Sequence, residues 1–439
     1  MPDIRPFKAL RYNPSRFGQD LSALIAPPYD VLDDRDKARL LARNERNIVA
    51  VDLPHVPPKS AGPDEVYARA AETLRQWLSE GTLIQEDAPA IYVYHQQYQH
   101  GGRSFVRKMF FARMRLEEFG AGTVFPHERT FGGPKEDRLK LMQASRAQLS
   151  AVFGLYSDPA NAISGLLSVD ESRPDAVAEM DGVSNRLWVL REAGVIDAMR
   201  AKMATLPVYI ADGHHRYGTA LIYRKLLAEQ GPLPEDHPAQ FVLVGFCAME
   251  DPGCVILPTH RVISGFTSQQ SERILDALAA GIDLRVADAT RSTPEEWLAA
   301  STGAAQGAQD ARPSDIAVYS PHGGQLYLGT FTKRSVLDTL AADRTPPYRR
   351  LDLAYLHDYV INELIARGVL NGTAPTIQYT HAADEAVKLA KDTGGIAFIT
   401  RPCTMDDLRA VSEAGDLMPQ KSTFFYPKLA TGLVVNPLE

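Results

Sequence analysis

The stretch that most constrains this chain is LPVYIADGHHRYGTALIYRKLLAEQG, residues 206–231. Leu206 to Ala211 reads as a buried strand, while Ala220, Tyr223, Leu226 and Leu227 recur at helical spacing. The chain must therefore pass from strand to helix at Asp212 and Gly213, with His214, His215 and Arg216 in the opening turn. A helix that starts this way leaves its first amides unpaired at the positive end of its dipole. Gly213 lets a ligand approach the backbone, Arg216 offers a planar fork to two oxygens, and the imidazoles add donors or proton carriers. The simplest ligand for such a turn is a phosphate. The competing explanation is a capping histidine and an arginine paired with a surface carboxylate.

Bulk properties set the limits. A chain of 439 residues is long for one core, so two or three domains are expected. An apolar fraction of 45% and a charged fraction of 23% are those of a folded protein. The net charge of −7 argues against broad attraction to nucleic acid or an anionic bilayer. The N-terminus has no apolar core followed by a cleavage site, and no run approaches the length of a membrane span, so a cytoplasmic location is expected. Cys247, Cys254 and Cys403 form neither a paired framework nor a metal knuckle; they are expected reduced and mostly buried, without zinc.

Along the chain, PDEVYARAAETLRQWLSEGTL reads as a helix stopped by Gly81, and AIYVYHQQY and RKMFFARMRL around QHGGRS read as a hairpin. QFVLVGFCAM and CVILPTHRVIS read as two further buried strands after the central helix. Beyond about residue 266 helices and strands alternate, with STGAAQGAQDARPSD as the most loop-like piece. The βαβα order of the last hundred or so residues suggests a small parallel or mixed sheet. The expected division is an N-terminal α/β part at 1–160 contributing to the site, a core at 161–265 carrying the D-G-H-H-R turn, and a C-terminal α/β domain at 266–439.

Two more clusters could carry chemistry. In VFPHERTFGGPKEDRLKLM, Pro134 suits a first helical turn, which puts Lys135 and Arg138 on one face of a second anion-ready helix start, with His127 and Glu128 in the loop before it. An ordinary solvated ion-pair face explains the same charges. In MPQKSTFFYPKLATG, Lys421, Ser422 and Thr423 precede an aromatic pair and Lys428, but the glycines of a Walker loop are absent. A phosphate or substrate contact and a core strand are both open there. His260 and Arg261 add only supporting polarity.

APPYDV, PHERTFGGPKEDRL, DGHHRYGTAL and MPQKSTFFYPKLATGL together are similar to family 1015 among the domains of unknown function, over nearly the whole chain. The D-G-H-H-R segment resembles the phosphate-binding G-x-x-R turn of the ParB/sulfiredoxin superfamily. That implies an α/β or α+β fold with a ParB/sulfiredoxin-like core, built from the strands of residues 206–262, and an additional α/β C-terminal domain. Sulfiredoxins need a cysteine where this chain has His214, and partition proteins need a DNA-reading helix pair and a basic face. The free-serine kinases resemble it best, keeping an acidic residue before the turn, Asp212 here; Asp30 and Glu128 are candidates for their second carboxylate.

The resemblance implies phosphoryl transfer to or from a small hydroxylated metabolite of the serine or phosphoserine class, with ATP or ADP and Mg²⁺; the acidic charge adds the expectation of no nucleic-acid or membrane partner. Asp212 would meet the metal or the hydroxyl; Gly213, His214, His215 and Arg216 would hold nucleotide phosphates; Lys135 and Arg138 would meet the transferred phosphate or the substrate carboxylate. Arg216, His214 and either Lys135 or Arg138 are expected to line one pocket. A nucleotide-binding regulatory protein and a phosphatase using His127 and Glu128 to activate water are the alternatives.

Overall fold

The hairpin expected around residues 90–116 forms, and it anchors a nine-stranded sheet in the computed structural model, which describes residues 2–58, 60–129, 132–287, 294 and 314–439. Gly101 and Gly102, at φ 54° and 72°, make its two-residue turn, the left-handed pair that such hairpins need. The loop-like piece at 301–315 lies outside the described residues except for its last two, as do Thr130 and Phe131.

The chain divides into two compact units, residues 1–255 with 425–439, and residues 256–424. The first holds β1 (Ile4–Arg5), β2 (Ile91–His100), β3 (Arg103–Arg115), β4 (Val124–Phe125), β5 (Val152–Tyr156), β6 (Ala176–Met180), β7 (Val183–Leu190), β8 (Val208–Asp212) and β9 (Phe241–Ala248). They lie in the order β4-β8-β5-β9-β3-β2-β7-β6, with β1 on β3. β4/β8 and β5/β9 run parallel and the other pairs antiparallel. Strands from both sides of residue 160 alternate in this sheet, so the expected boundary there does not separate two bodies.

Helices α1 (Asp64–Ser79), α2 (Gly132–Ser145), α3 (Ala193–Met203) and α4 (His214–Gln230) belong to the same unit. α2 packs on both α1 and α4. Val208 and Ile210 of β8, Val244 and Phe246 of β9 and Tyr217, Ala220 and Leu221 of α4 share one apolar core, so the strand and helix flanking the Asp212–Gly213 turn are fixed by burial on both sides. Residues 425–439 thread back into this unit: Leu10 and Val435 exchange amide hydrogen bonds, as do Ala26 and Thr431, and Asn436–Pro437 pairs with Ala147–Gln148.

The second unit carries β10 (His260–Ser264), β11 (Ile282–Val286), β12 (Ile316–Ser320), β13 (Gln325–Phe331), β14 (Thr376–Thr380) and β15 (Ile396–Thr400), in the order β11-β13-β12-β15-β10-β14. Every neighbouring pair is antiparallel, which corrects the parallel or mixed sheet expected there. The helix Ala383–Thr393 does join two strands of equal direction, β14 and β15, but β10 lies between them and reverses the pairing. The run CVILPTHRVIS is not one strand either. Pro258 cannot donate to a ladder, so Val255–Leu257 ends before it and β10 begins after it in the six-stranded sheet. The 206–262 strands thus do not form one core, and the expected 265/266 boundary moves to 255/256.

The three cysteines form no disulfide; Cys247 is buried, whereas Cys254 and Cys403 are only half-buried. Among the described residues no helix is long and apolar enough to cross a membrane.

Gly253 shows how tightly the first unit is closed. A Cβ there would stand 2.4 Å from the Val106 carbonyl oxygen and 2.5 Å from the Arg107 nitrogen, both backbone atoms of β3. Gly253→Ala should lower the stability of this unit by about 2 kcal/mol, read as a shifted urea midpoint. Gly165→Ala, where a Cβ meets nothing within 4 Å, is the control and should leave the midpoint unchanged.

Candidate functional site

β8 delivers Asp212 at its end, where the register against β5 shifts between Ile210 and Asp212 and leaves Asp212 opposite Phe153. Gly213 then takes φ 87° and caps α4. A side chain on Gly213 is excluded twice, by the left-handed backbone and by the Arg216 guanidinium, whose Nε lies 2.9 Å from the position of a Cβ. The Asp212 carboxylate is well partnered locally. Its Oδ1 accepts the Gly213 amide at 2.6 Å and faces Arg216 Nη2 at 3.4 Å, and its Oδ2 accepts Lys428 Nζ at 2.7 Å. Burial opposes the charge, but Lys428 and Arg216 outweigh it and hold the carboxyl well below the usual carboxylate range.

The His127 loop meets this turn directly. The His127 amide donates to His214 Nε2 at 3.2 Å, which leaves the His214 proton on Nδ1, 3.9 Å from Glu128 Oε2. The His127 ring sits edge-on to the His214 ring, centroids 4.6 Å apart, and its Nδ1 donates to the Ile210 carbonyl at 2.8 Å. Both rings are buried. Burial pushes His127 below the ordinary histidine value; burial, then the neighbouring His127, push His214 far below it. His215 follows in the same helical turn, half-buried. Lys135 crosses α4 at Gly218, its Cε 3.1 Å from where a Cβ on that glycine would stand. The small residue at 218 is what lets the lysine of one motif lie across the helix of the other.

Arg138 has a different fate. Its Nε and Nη2 reach Asp137 Oδ2 at 2.7 and 2.6 Å, its Nη1 donates to the Asp52 carbonyl at 2.6 Å and faces the Asp52 carboxylate at 3.4 Å, and the guanidinium lies 3.8 Å over the Tyr29 ring. The Tyr67 hydroxyl holds the other oxygen of Asp137 at 2.7 Å. Burial works against the Arg138 charge, but Asp52 and Asp137 more than offset it. Asp52 is itself raised by burial, with Arg138 and Arg216 opposing. Asp30 lies in the short turn Tyr29–Val31 and bears electrostatically on Tyr29 and Asp52. A cavity of about 30 Å³ is lined by Arg138, Arg216, Asp52, Gln148 and Ser150 among others. Of Arg216, His214, Lys135 and Arg138, this cavity is lined by Arg216 and Arg138 and not by His214 or Lys135.

The remaining candidates belong to the second unit. Arg261 is fully buried; it donates to the carbonyls of Thr259, Gln420 and Lys421 and to His357 Nε2, and burial lowers it to about 10. His260 Nδ1 accepts the Thr400 amide at 3.2 Å, and the Ser422 hydroxyl donates to the Pro419 carbonyl at 2.6 Å. Lys421 adopts φ 56°, and Thr423 lies in the same segment, half-buried. These bonds knit that unit together.

Sequence reasoning missed Asp52 and Asp137, the partners of Arg138, and gave Lys428 no role. Asp52 follows an apolar run, NIVAVDLP, and a carboxylate there was the available signal. For Lys428 nothing local points to Asp212. Among the described residues no group of three or more His, Cys, Asp or Glu is arranged to hold a metal ion.

No curated protein is found to match this chain. Solved structures that are similar include a free serine kinase variant in complex with AMP, at 12% identity and TM-score 0.35 over 73% of this chain and 87% of that one. A conserved hypothetical protein from Pyrococcus furiosus is 12% identical, TM-score 0.32, over 73% and 92%. SbnI from Staphylococcus aureus, truncated at its C-terminus, is 12% identical, TM-score 0.33, over 72% and 84%. Residues 4–354 match the family model described as a protein of unknown function, DUF1015, and the chain belongs to that family.

Proposed function

We propose that the first unit is a nucleotide-dependent phosphotransferase for a small hydroxylated metabolite, of the serine or phosphoserine class, with a ParB/sulfiredoxin-like phosphate turn at Asp212–Arg216. The observation that carries this is the junction of two sequence-distant segments: the His127 amide on His214 Nε2, beside an Asp212 carboxylate held between Lys428 and Arg216. Phosphoryl transfer needs cations and N–H donors around the moving group and a carboxylate at the hydroxyl, and no covalent nucleophile. The cluster contains these groups within a few side chains.

In this reading Gly213, His214, His215 and Arg216 present donors to the nucleotide phosphates, and Lys135 meets the transferred group. Glu128, 3.9 Å from His214 and partly exposed, takes the hydroxyl proton in preference to Asp30, which sits with Tyr29 and Asp52. Arg138 is enclosed by two carboxylates and serves to tie α2 to Asp52. Asp212 suits a Mg²⁺ ion that arrives on the nucleotide, because the phosphates and water then complete its shell. Bound there, the ion would neutralise charge on the phosphate oxygens.

Serine with ATP or ADP, and phosphoserine with AMP or ADP, are the substrate pairs to assay. Formation of phosphoserine, or of serine in reverse, is the expected result. Nucleotide binding without turnover would replace this reading with a regulatory one, and phosphate release from monoesters would replace it with hydrolysis. Arg216→Ala should lower turnover about a hundredfold or more, as removal of a preorganised donor to developing charge does. Arg216→Lys should not restore it, since an ammonium lacks the planar fork. A folded Arg216→Ala protein with full activity would remove Arg216 from the chemistry.

The buried imidazoles also set a pH dependence. His127 and His214 have folded values below 6.5, so their contribution to stability is complete above about pH 6.5 and is lost as the pH falls from there towards the folded values. Each should remove about 1.4 kcal/mol per pH unit once the unfolded histidine is protonated. Asp212, depressed from 3.8, contributes in a separate window and loses its share only below the ordinary carboxylate range. Urea midpoints at pH 8, 6.5 and 5 should show the loss between the last two, and His214→Gln should reduce that slope by one histidine's share.

A further inference from the structure

We propose that Lys428 is a phosphate ligand of the same site, parked on Asp212 until an anion arrives; the inference rests on the phosphotransferase reading for the class of ligand, a phosphoanhydride or phosphate ester. Three observations carry it.

The first is position. Lys428 Nζ lies 2.7 Å from Asp212 Oδ2, at the turn itself, and bears electrostatically on the His127 ring of the loop that meets it. The second is freedom to move. Arg216 is a fixed donor, held by the Ala151 carbonyl with its side chain 9% exposed, and Arg138 is clasped by Asp137 and Asp52, whereas the side chain of Lys428 keeps 20% of its surface in solvent. An ammonium carries three donors on a flexible stem, which suits it to follow a phosphate that moves.

The third is the support given to its backbone. Gln96 Nε2 donates to the Lys428 carbonyl at 3.0 Å, the fully buried Arg107 donates to the carbonyls of Tyr426 and Pro427 and to Gln96 Oε1, and the Ala430 amide donates to the Tyr94 hydroxyl at 3.4 Å. A buried guanidinium spent on main-chain carbonyls is an expensive way to hold a surface lysine and a reasonable way to aim a functional one. The residues around the lysine fix where its stem begins; Asp212 fixes where its head rests.

Titration calorimetry with sodium pyrophosphate in the presence of a chelator tests this on the full chain. Wild type should bind saturably, Lys428→Met about tenfold or more weakly, and Lys428→Arg within about threefold of wild type. The double variant Asp212→Asn with Lys428→Met restores the net charge of the pair; a lysine that acts only through the local field would regain affinity there, whereas a ligand would not. Lys428→Gln, which keeps a donor to Asp212, replaces Lys428→Met if the latter does not fold, with the same tenfold loss expected. Absence of saturable binding by wild type, equal affinity in the methionine or glutamine variant, or recovery in the double variant would each overturn the inference. Pyrophosphate binding involves neither serine nor turnover. Loss of affinity in the lysine variants without phosphoserine formation would keep Lys428 as a ligand and remove the serine chemistry, and unchanged affinity with phosphoserine formed would do the reverse.

Discussion

A strand can turn into a helix within one residue only if that residue accepts a left-handed backbone, and the geometry of the whole site follows from Gly213 doing so. With that turn in place Asp212 ends the strand with its carboxylate beside the Gly213 amide, and Arg216, three residues on, folds back over the glycine. A Cβ at 213 would require the guanidinium to leave, and Asp212 would lose one of its two cations. The core on either side, Val208 and Ile210 before the turn and Tyr217 and Ala220 after it, denies the chain a looser solution.

The charges around the turn are arranged as nearly compensated pairs. Asp212 faces Lys428 and Arg216, and Arg138 faces Asp137 and Asp52, all of them largely withdrawn from water. Withdrawal makes each pair costly to break on one side only. It also explains why an acidic chain can gather this many basic groups without a basic surface. The imidazoles fit the same pattern: both are buried and held neutral, so they add hydrogen-bonding capacity and no further positive charge.

Much of this was legible locally. The apolar run before Asp212, the helical spacing after it and the Gly-Gly hairpin are short-range signals, and β8, α4 and the β2/β3 hairpin follow them. The meeting of the His127 loop with His214 was expected from shared chemistry. What stayed hidden depends on partners rather than periods. Periodicity tells which face of a segment is buried but not which segment covers it, so Asp52 and Asp137 could not be matched to Arg138, nor Lys428 to Asp212. The second sheet shows the same limit: β14, its helix and β15 read as a parallel unit, and only the insertion of β10 between them makes the sheet antiparallel. Pro258 was a visible break within CVILPTHRVIS, and it marks the point where one expected strand becomes two.

The first unit is interrupted between Val255 and Phe425, and its last fifteen or so residues include the lysine that sits on Asp212. Synthesis runs in one direction, so the ribosome makes the Asp212 turn first, then all of the second unit, and Lys428 only after it. During that interval Asp212 has Arg216 alone, and strand Leu10–Tyr12 waits for Val435. The second unit is in effect a long insertion placed before the closing segment of the first, which makes the completed charge cluster a marker that the second unit has already been made: a nascent protein stopped anywhere within residues 256–424 carries the Asp212–Gly213 turn but not Lys428.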